Sequence, residues 1–251
     1  MGVKFERDGT TATITIDRPE KHNAMDSTIY AELGEAFTTL DADEELLVGI
    51  VTGAGERAFS AGADLKQMHG PDSKQRGWGP WRGDGWSFGW TPRKPLIAAI
   101  NGFALAGGLE LALTCDIRIA TPDSKFGAPE VKWALLHGLG ATKLPAAVGL
   151  SNAMMLLLTA EFIDGEEALR IGLVSKLVPF EGLLEEARRI ADAIAANNPI
   201  AVQMTKELAL RSALPANEEA LRLYRGYYAY LENLPEQADA TASFATRKQR
   251  D

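Results

Sequence analysis

The chain has 251 residues, 46% of them hydrophobic and 24% charged, which is long enough to bury a large core and reads as one large domain with room for a small appendage. Lys and Arg total 26 against 34 Asp and Glu, a net charge of −8, which argues against a general nucleic-acid surface and leaves room only for a local basic patch. The single cysteine, Cys115, excludes an intramolecular disulfide and reads as a small buried residue.

The opening "MGVKFERDGTTATITID" carries charges at Lys4, Glu6, Arg7 and Asp8 and no long apolar run. Neither signal peptide nor membrane span is expected, and the expected location is the cytoplasm. "TATITID" alternates Thr11, Thr13 and Thr15 with Ala12, Ile14 and Ile16, a strand with one apolar face. "DRPEKHNAM" breaks it. From Asp26 or Ser27 to Leu40, Ile29, Leu33, Ala36, Phe37 and Leu40 fall at helical spacing behind a capping residue. "LVGIVTGAG" and "PLIAAING" are short buried strands, each ending in a glycine turn.

The stretch from Arg76 to Pro95 holds four of the five tryptophans, at 78, 81, 86 and 90, spaced by Gly, Pro and Asp. Those spacers deny it a long helix, and its aromatics deny it the composition of a disordered linker. Two readings stand equally: a loop folded over the core or a subunit contact, and a lid or wall of an apolar pocket. Further on, "LEEARRIADAIAANNP" and "IAVQMTKELALRSAL" are amphipathic helices, and two more are expected near 217–232 and 237–248. The second half is mostly helical.

"NGFALAGGLELAL", Asn101 to Leu113, sets Glu110 in a run of Ala, Leu and Gly. A buried carboxylate loses solvation worth roughly several kcal/mol unless it is paired or hydrogen-bonded, so Glu110 is either a structural ion pair or chemistry. Gly107 opens a helix to about Leu113, where backbone N–H groups without intrahelical partners can stabilise an anion. Glu110 lies one turn along the same face, so carboxylate and amide can share a pocket. Two further glycine turns, "FSAGADL" (Phe59–Leu65) and "FGAPEV" (Phe126–Val131, carrying Glu130), have the same character. Each alone is a weak signal.

In order and together, "DRPEKHNAM", "AFSAGADLKQM", "KPLIAAINGFALAGGLELALTCDIRIAT", "FGAPEV" and "LLLTAEFIDGEEALRIGLVSKLVP" resemble the enoyl-CoA hydratase/isomerase family, the crotonase superfamily, over nearly the whole chain. The resemblance implies an α/β fold, a crotonase-type spiral of repeated ββα units (1–197) with a C-terminal helical trimerisation region (198–251), assembled as a homotrimer or a dimer of trimers. It implies an oxyanion hole from the N–H groups of Ala63 and Gly107 and catalytic carboxylates at Glu110 and Glu130. By the same analogy Glu130 is the main proton donor and Glu110 the water activator, while CoA lies along Lys21, His22, Ala24, Ala61, Asp64 and Leu65.

The implied activity is hydration of a 2-enoyl-CoA, with no cofactor beyond the CoA of the substrate, no metal, and no nucleic-acid or membrane partner. The alternatives are isomerisation, retro-aldol cleavage or thioester hydrolysis on the same platform, or a non-catalytic acyl-CoA-binding protein; the presence of both glutamates weighs against the isomerase and binding readings. His22, His69 and His137 show no metal-ligand spacing. Departures from the family pattern fall at Ala106, the first of three usual glycines, and at Ala134, His137 and Ala141, where Gly, Pro and Gly are usual. Asp239 and Ala240 replace Glu and Gly, while Phe244, Arg247 and Lys248 keep the aromatic and basic end. His137 reads first as a histidine satisfied in a turn, with a place lining the active site as the alternative.

Overall fold

A computed structural model describes residues 2–64 and 90–213. Leu65, His69, most of the tryptophan-rich stretch and the expected helices 217–232 and 237–248, with Asp239, Ala240, Phe244, Arg247 and Lys248, lie outside the described residues.

Two sheets are stacked by a chain that visits them alternately. One has six strands in the order β1 (Gly2–Asp8), β2 (Thr11–Asp17), β3 (Val48–Gly53), β5 (Leu96–Ile100), β7 (Ile117–Ala120) and β10 (Lys176–Leu177). The other has four, in the order β4 (Ala58–Ser60), β6 (Phe103–Leu105), β8 (Lys125–Gly127) and β9 (Ile163–Asp164). The pairs β3–β4, β5–β6 and β7–β8 each place one strand in each sheet before the chain moves on. This is the repeated turn of the expected spiral. Within the large sheet every pairing after the β1–β2 hairpin is parallel.

The apolar runs of β3 and β5 are explained by cover on both faces. Leu96, Ala98 and Ile100 face the main core with Val51, Leu33, Phe37 and Leu40. Ile97 and Ala99 face the other way with Val48, Ile50 and Ile119, beneath Leu183, Ala187 and Ala191 of helix α6 (Phe180–Ala195). The remaining helices are α1 (Ser27–Ala42), α2 (Gly107–Thr114), α3 (Gly138–Val148), α4 (Leu150–Thr159), α5 (Gly165–Arg170) and α7 (Pro199–Ala213). None among the described residues is long and apolar enough to cross a membrane. Cys115 is buried as expected, and burial pushes its thiol up to about 12, so it is no nucleophile.

Two asparagines tie successive turns of the spiral together. Asn101 donates through Nδ2 to Gly53 O and Gly55 O at 2.8 and 2.5 Å. Asn23 is fully buried, donates to Ala54 O at 3.0 Å and Ala58 O at 2.6 Å, and accepts from Arg18 N–H at 3.0 Å. Its backbone is left-handed, with φ 54°, a conformation Asn tolerates better than most residues. Asn23→Ala leaves one donor and two acceptors without their partner and puts alanine in a left-handed conformation that asparagine tolerates better. A loss of about 3 kcal/mol is expected, read as a fall in the chemical-denaturation midpoint with unchanged slope.

Candidate active site

The 61–64 loop, the 22–25 turn, helix α2, the 3-10 turn Pro129–Trp133 and helix α3 meet at one site. The 61–64 loop follows β4 and is held by a short parallel ladder to the 22–25 turn: Ala61 N–H donates to His22 O at 3.0 Å, Met25 N–H to Gly62 O at 2.8 Å and Asp64 N–H to Met25 O at 2.8 Å. The ladder uses the carbonyl of Gly62 and the amide of Asp64, and leaves the Ala63 N–H outside it. The Ser60 hydroxyl donates to Asn23 O at 2.8 Å and accepts from Gly62 N–H at 3.1 Å, fixing the loop from within. Arg18 closes the bundle, with Nη1 3.2 Å from Asp26 and 3.1 Å from Asp64. Asp26 in turn caps α1 by accepting from Thr28 and Ile29.

Helix α2 starts against this loop. Gly107, its first residue, carries an N–H with no intrahelical acceptor. A Cβ built on Gly107 would stand 3.6 Å from Ala63 N, and one on Gly62 would stand 2.9 Å from Gly107 N. Two amide donors on different elements are therefore neighbours, and glycine is what lets the backbones approach. Ala106, just before, has φ 52° and ψ −127°, which strains any residue with a β-carbon. Ala106→Gly is expected to stabilise the fold by about 1 kcal/mol, read as a rise in the denaturation midpoint.

Glu110 sits one turn into α2 and is 2% exposed. Its Oε1 accepts from Leu139 N–H at 2.9 Å. Leu139 is the second residue of α3, so a free amide and the positive end of that helix compensate the buried carboxylate. Glu130 lies in the 3-10 turn Pro129–Trp133 that follows β8. Its Oε1 is 2.7 Å from His137 Nδ1, while its Oε2 is buried with no partner among the described residues.

His137 is more than a histidine satisfied in a turn, the first reading of the sequence. It stands at the N-cap position of α3, 3% exposed, and lies between the two glutamates, its Nδ1 4.0 Å from Glu110 Oε1 and 2.7 Å from Glu130 Oε1. Its Nε2 has no partner among the described residues. The ring lies where a Cβ on Gly140 would collide with it. Tyr30, on α1, is the other residue the periodicity of that helix does not single out. Its hydroxyl is 2.8 Å from the Cβ position of Gly107. Burial, then the charges of Glu110 and Glu130, push its ionisation well above the ordinary phenol range, so it stays neutral.

Of the other expected positions, Lys21 is exposed at the end of a 3-10 turn, and His22, Ala24 and Ala61 are half-buried along the same loops. Asp64 faces Arg18. Trp90 is half-buried, its ring centroid 5.8 Å from Tyr30 and 5.3 Å from Phe37. The end of the tryptophan-rich stretch therefore packs on the helix that carries Tyr30.

The model of the enoyl-CoA hydratase/isomerase family matches residues 6–250. The chain is 37% identical to a short-chain-enoyl-CoA hydratase of Clostridium acetobutylicum, over 98% of this chain and 95% of that protein. It is 42% identical to an (E)-benzylidenesuccinyl-CoA hydratase of Thauera aromatica, over 84% and 82%. Among solved structures, a carnitinyl-CoA hydratase from Mycobacterium avium superposes with a TM-score of 0.86 at 32% identity, over 98% of this chain and 95% of that one. With two stacked sheets wound as a spiral and a family match along almost its entire length, the chain belongs to the enoyl-CoA hydratase/isomerase family.

Proposed function

We propose that the protein is an enoyl-CoA hydratase, with Glu110 and Glu130 as its catalytic carboxylates and the Ala63 and Gly107 amides as its oxyanion hole. The observation that carries this reading is that two carboxylates from separate elements meet at His137, and that one of them, Glu110, lies a turn along the helix whose first N–H neighbours that of Ala63. The relatives named as hydratases of enoyl-CoA thioesters support the same reaction class.

In this reading the thioester oxygen lies against the Ala63 and Gly107 N–H groups. Glu110, held as a carboxylate by the Leu139 amide, takes a proton from water as the water oxygen bonds to Cβ. The electrons of the double bond pass to the thioester oxygen, where the two amides hold the developing charge, a contribution of about 3 kcal/mol per donor. Glu130, carrying a proton on Oε2 in the substrate complex, returns it to Cα as the enolate collapses. Water has then added across the double bond, and Glu110 has gained the proton Glu130 has lost. The resting state returns by proton exchange with solvent.

The substrate brings its own CoA, so the chemistry asks for no other cofactor or metal. CoA is assigned to the Lys21–Ala24 turn and the Ala61–Leu65 segment. Residues 198–251 are assigned to assembly as a homotrimer or dimer of trimers, and the cytoplasm is the expected location. Support for assembly comes from the apolar side chains of Leu150, Met155 and Leu158 on α4 and of Ile200, Met204 and Leu208 on α7, which are exposed among the described residues. The test is loss of the conjugated-thioester absorbance of crotonyl-CoA, and then of longer and aryl enoyl-CoAs, with the product identified. Formation of 3-hydroxyacyl-CoA is the expected result. Tight binding with no conversion of any of them would contradict it.

A further inference from the structure

The imidazole of His137 occupies a place the two-carboxylate mechanism does not use, yet everything around it is shaped to hold it. It is buried to 3% exposure at the start of α3, and the absence of a side chain at Gly140 makes the room for its ring. Its Nδ1 reaches Glu130 Oε1 at 2.7 Å, a short hydrogen bond that is charge-assisted when Glu130 is ionised. An ionised carboxylate only accepts, so when Glu130 is ionised the proton of this bond belongs to Nδ1.

From this geometry we infer that His137 is a positioning residue for Glu130: its Nδ1–H holds Oε1, so that Oε2 is the oxygen that exchanges a proton with the acyl chain. Glu130 Oε2, buried and without a partner among the described residues, is the other half of that arrangement. After proton delivery the carboxylate left behind is stabilised by a donor already in place, with no reorganisation. The inference rests on the hydratase reading for its catalytic consequence, but the coupling of His137 to Glu130 stands on the contact alone.

Three elements face the ring or its partners. Glu130 comes from the 3-10 turn, Glu110 from α2 at 4.0 Å, and Tyr30 from α1, its hydroxyl by Gly107, lies within the field of both carboxylates. Burial alone would lower the affinity of His137 for a second proton. The charge and hydrogen bond of Glu130 and the charge of Glu110 together outweigh burial and raise it. Removing the charge of Glu130 therefore makes the imidazole titrate at lower pH.

Three variants separate positioning from mere packing. His137→Asn places an amide donor near the Nδ1 position and is expected to keep kcat within about tenfold of the wild type. Its pH–rate profile is expected to be displaced by about half a pH unit or more, because the titrating partner is gone. His137→Leu fills the space with no donor and is expected to lose about a hundredfold in kcat with KM little changed. Gly140→Ala, which drives the ring from its place, is expected to resemble His137→Leu.

Nitrogen-15 NMR of histidine-labelled protein supplies a readout that needs no turnover. The His137 signal, assigned by its loss in His137→Asn, is expected to titrate at lower pH in Glu130→Gln than in the wild type. An unchanged His137 titration in Glu130→Gln, or wild-type kcat and pH profile in His137→Leu while Glu130→Gln is inactive, would overturn the inference and leave the hydratase reading intact. A wild type that converts no enoyl-CoA, but shows the His137 shift, would instead overturn that reading and keep the coupling.

Discussion

Glu110→Gln and Glu130→Gln are each expected to lower kcat for hydration by about a thousandfold, within the range measured for general acid–base groups. That corresponds to about 4 kcal/mol of transition-state stabilisation. The substitution isolates chemistry from folding because glutamine keeps a carbonyl oxygen in the same place. Leu139 N–H, now bonded to Glu110, and His137 Nδ1, now bonded to Glu130, both retain an acceptor. KM and the thermal midpoint are therefore expected to change little. Because the two carboxylates act on one substrate molecule, the double variant is expected to be far less impaired than the product of the two single effects. Stopped-flow absorbance on an enoyl-CoA, beside a melting curve for each variant, checks all three statements.

Gly108→Ala is the second large effect, and it acts on the scaffold. A Cβ at Gly108 would collide with the carbonyl oxygen of Ser60 and stand 2.8 Å from its carbonyl carbon. Backbone cannot rotate away as a side chain can, so α2 and β4 must separate. Overpacking of this kind costs about 1–3 kcal/mol. The consequence for activity is larger, since Ser60 leads directly into the loop that carries Ala63, while Gly107 is the neighbour of Gly108. Moving the two amides apart loses the oxyanion hole, and a fall of about a hundredfold or more in kcat is expected. A variant that melts lower but turns over as the wild type does would show that the amides tolerate the displacement.

The elements whose signals are local were legible in the sequence. Asp26 caps α1, the alternation of "TATITID" is β2, and the apolar runs around Ile50 and Ala98 are β3 and β5. Their two-sided burial also explains why no alternation was visible in them. Strand β1 was not legible, because "GVKFERD" is a sheet edge with mostly exposed or half-exposed side chains, and its charges mask the strand pattern.

At the site, Glu110 was marked by its apolar neighbours and Gly107 by the helix start. Ala63, the order of the motifs and the fold of the whole came from family resemblance. His137 shows why the rest was hidden. It lies seven residues past Glu130 and far from Glu110 in sequence, and only the 3-10 turn at Pro129–Trp133, ended by left-handed Ala134, brings it between them. The signal available was Gly140, a glycine in the first turn of a helix three residues after a histidine, where one side chain makes room for another. Tyr30 likewise carries no local mark beyond being an aromatic on an amphipathic helix.

Turnover of crotonyl-CoA in oxygen-18 water, followed by mass analysis of the thioester product, tests the central claim most directly. The account predicts a 3-hydroxyacyl-CoA carrying oxygen-18 at C3, formed by the wild type and suppressed in Glu110→Gln and Glu130→Gln. An unlabelled, double-bond-shifted thioester, or label appearing in a free carboxylic acid, would contradict it and assign the two carboxylates to a different reaction.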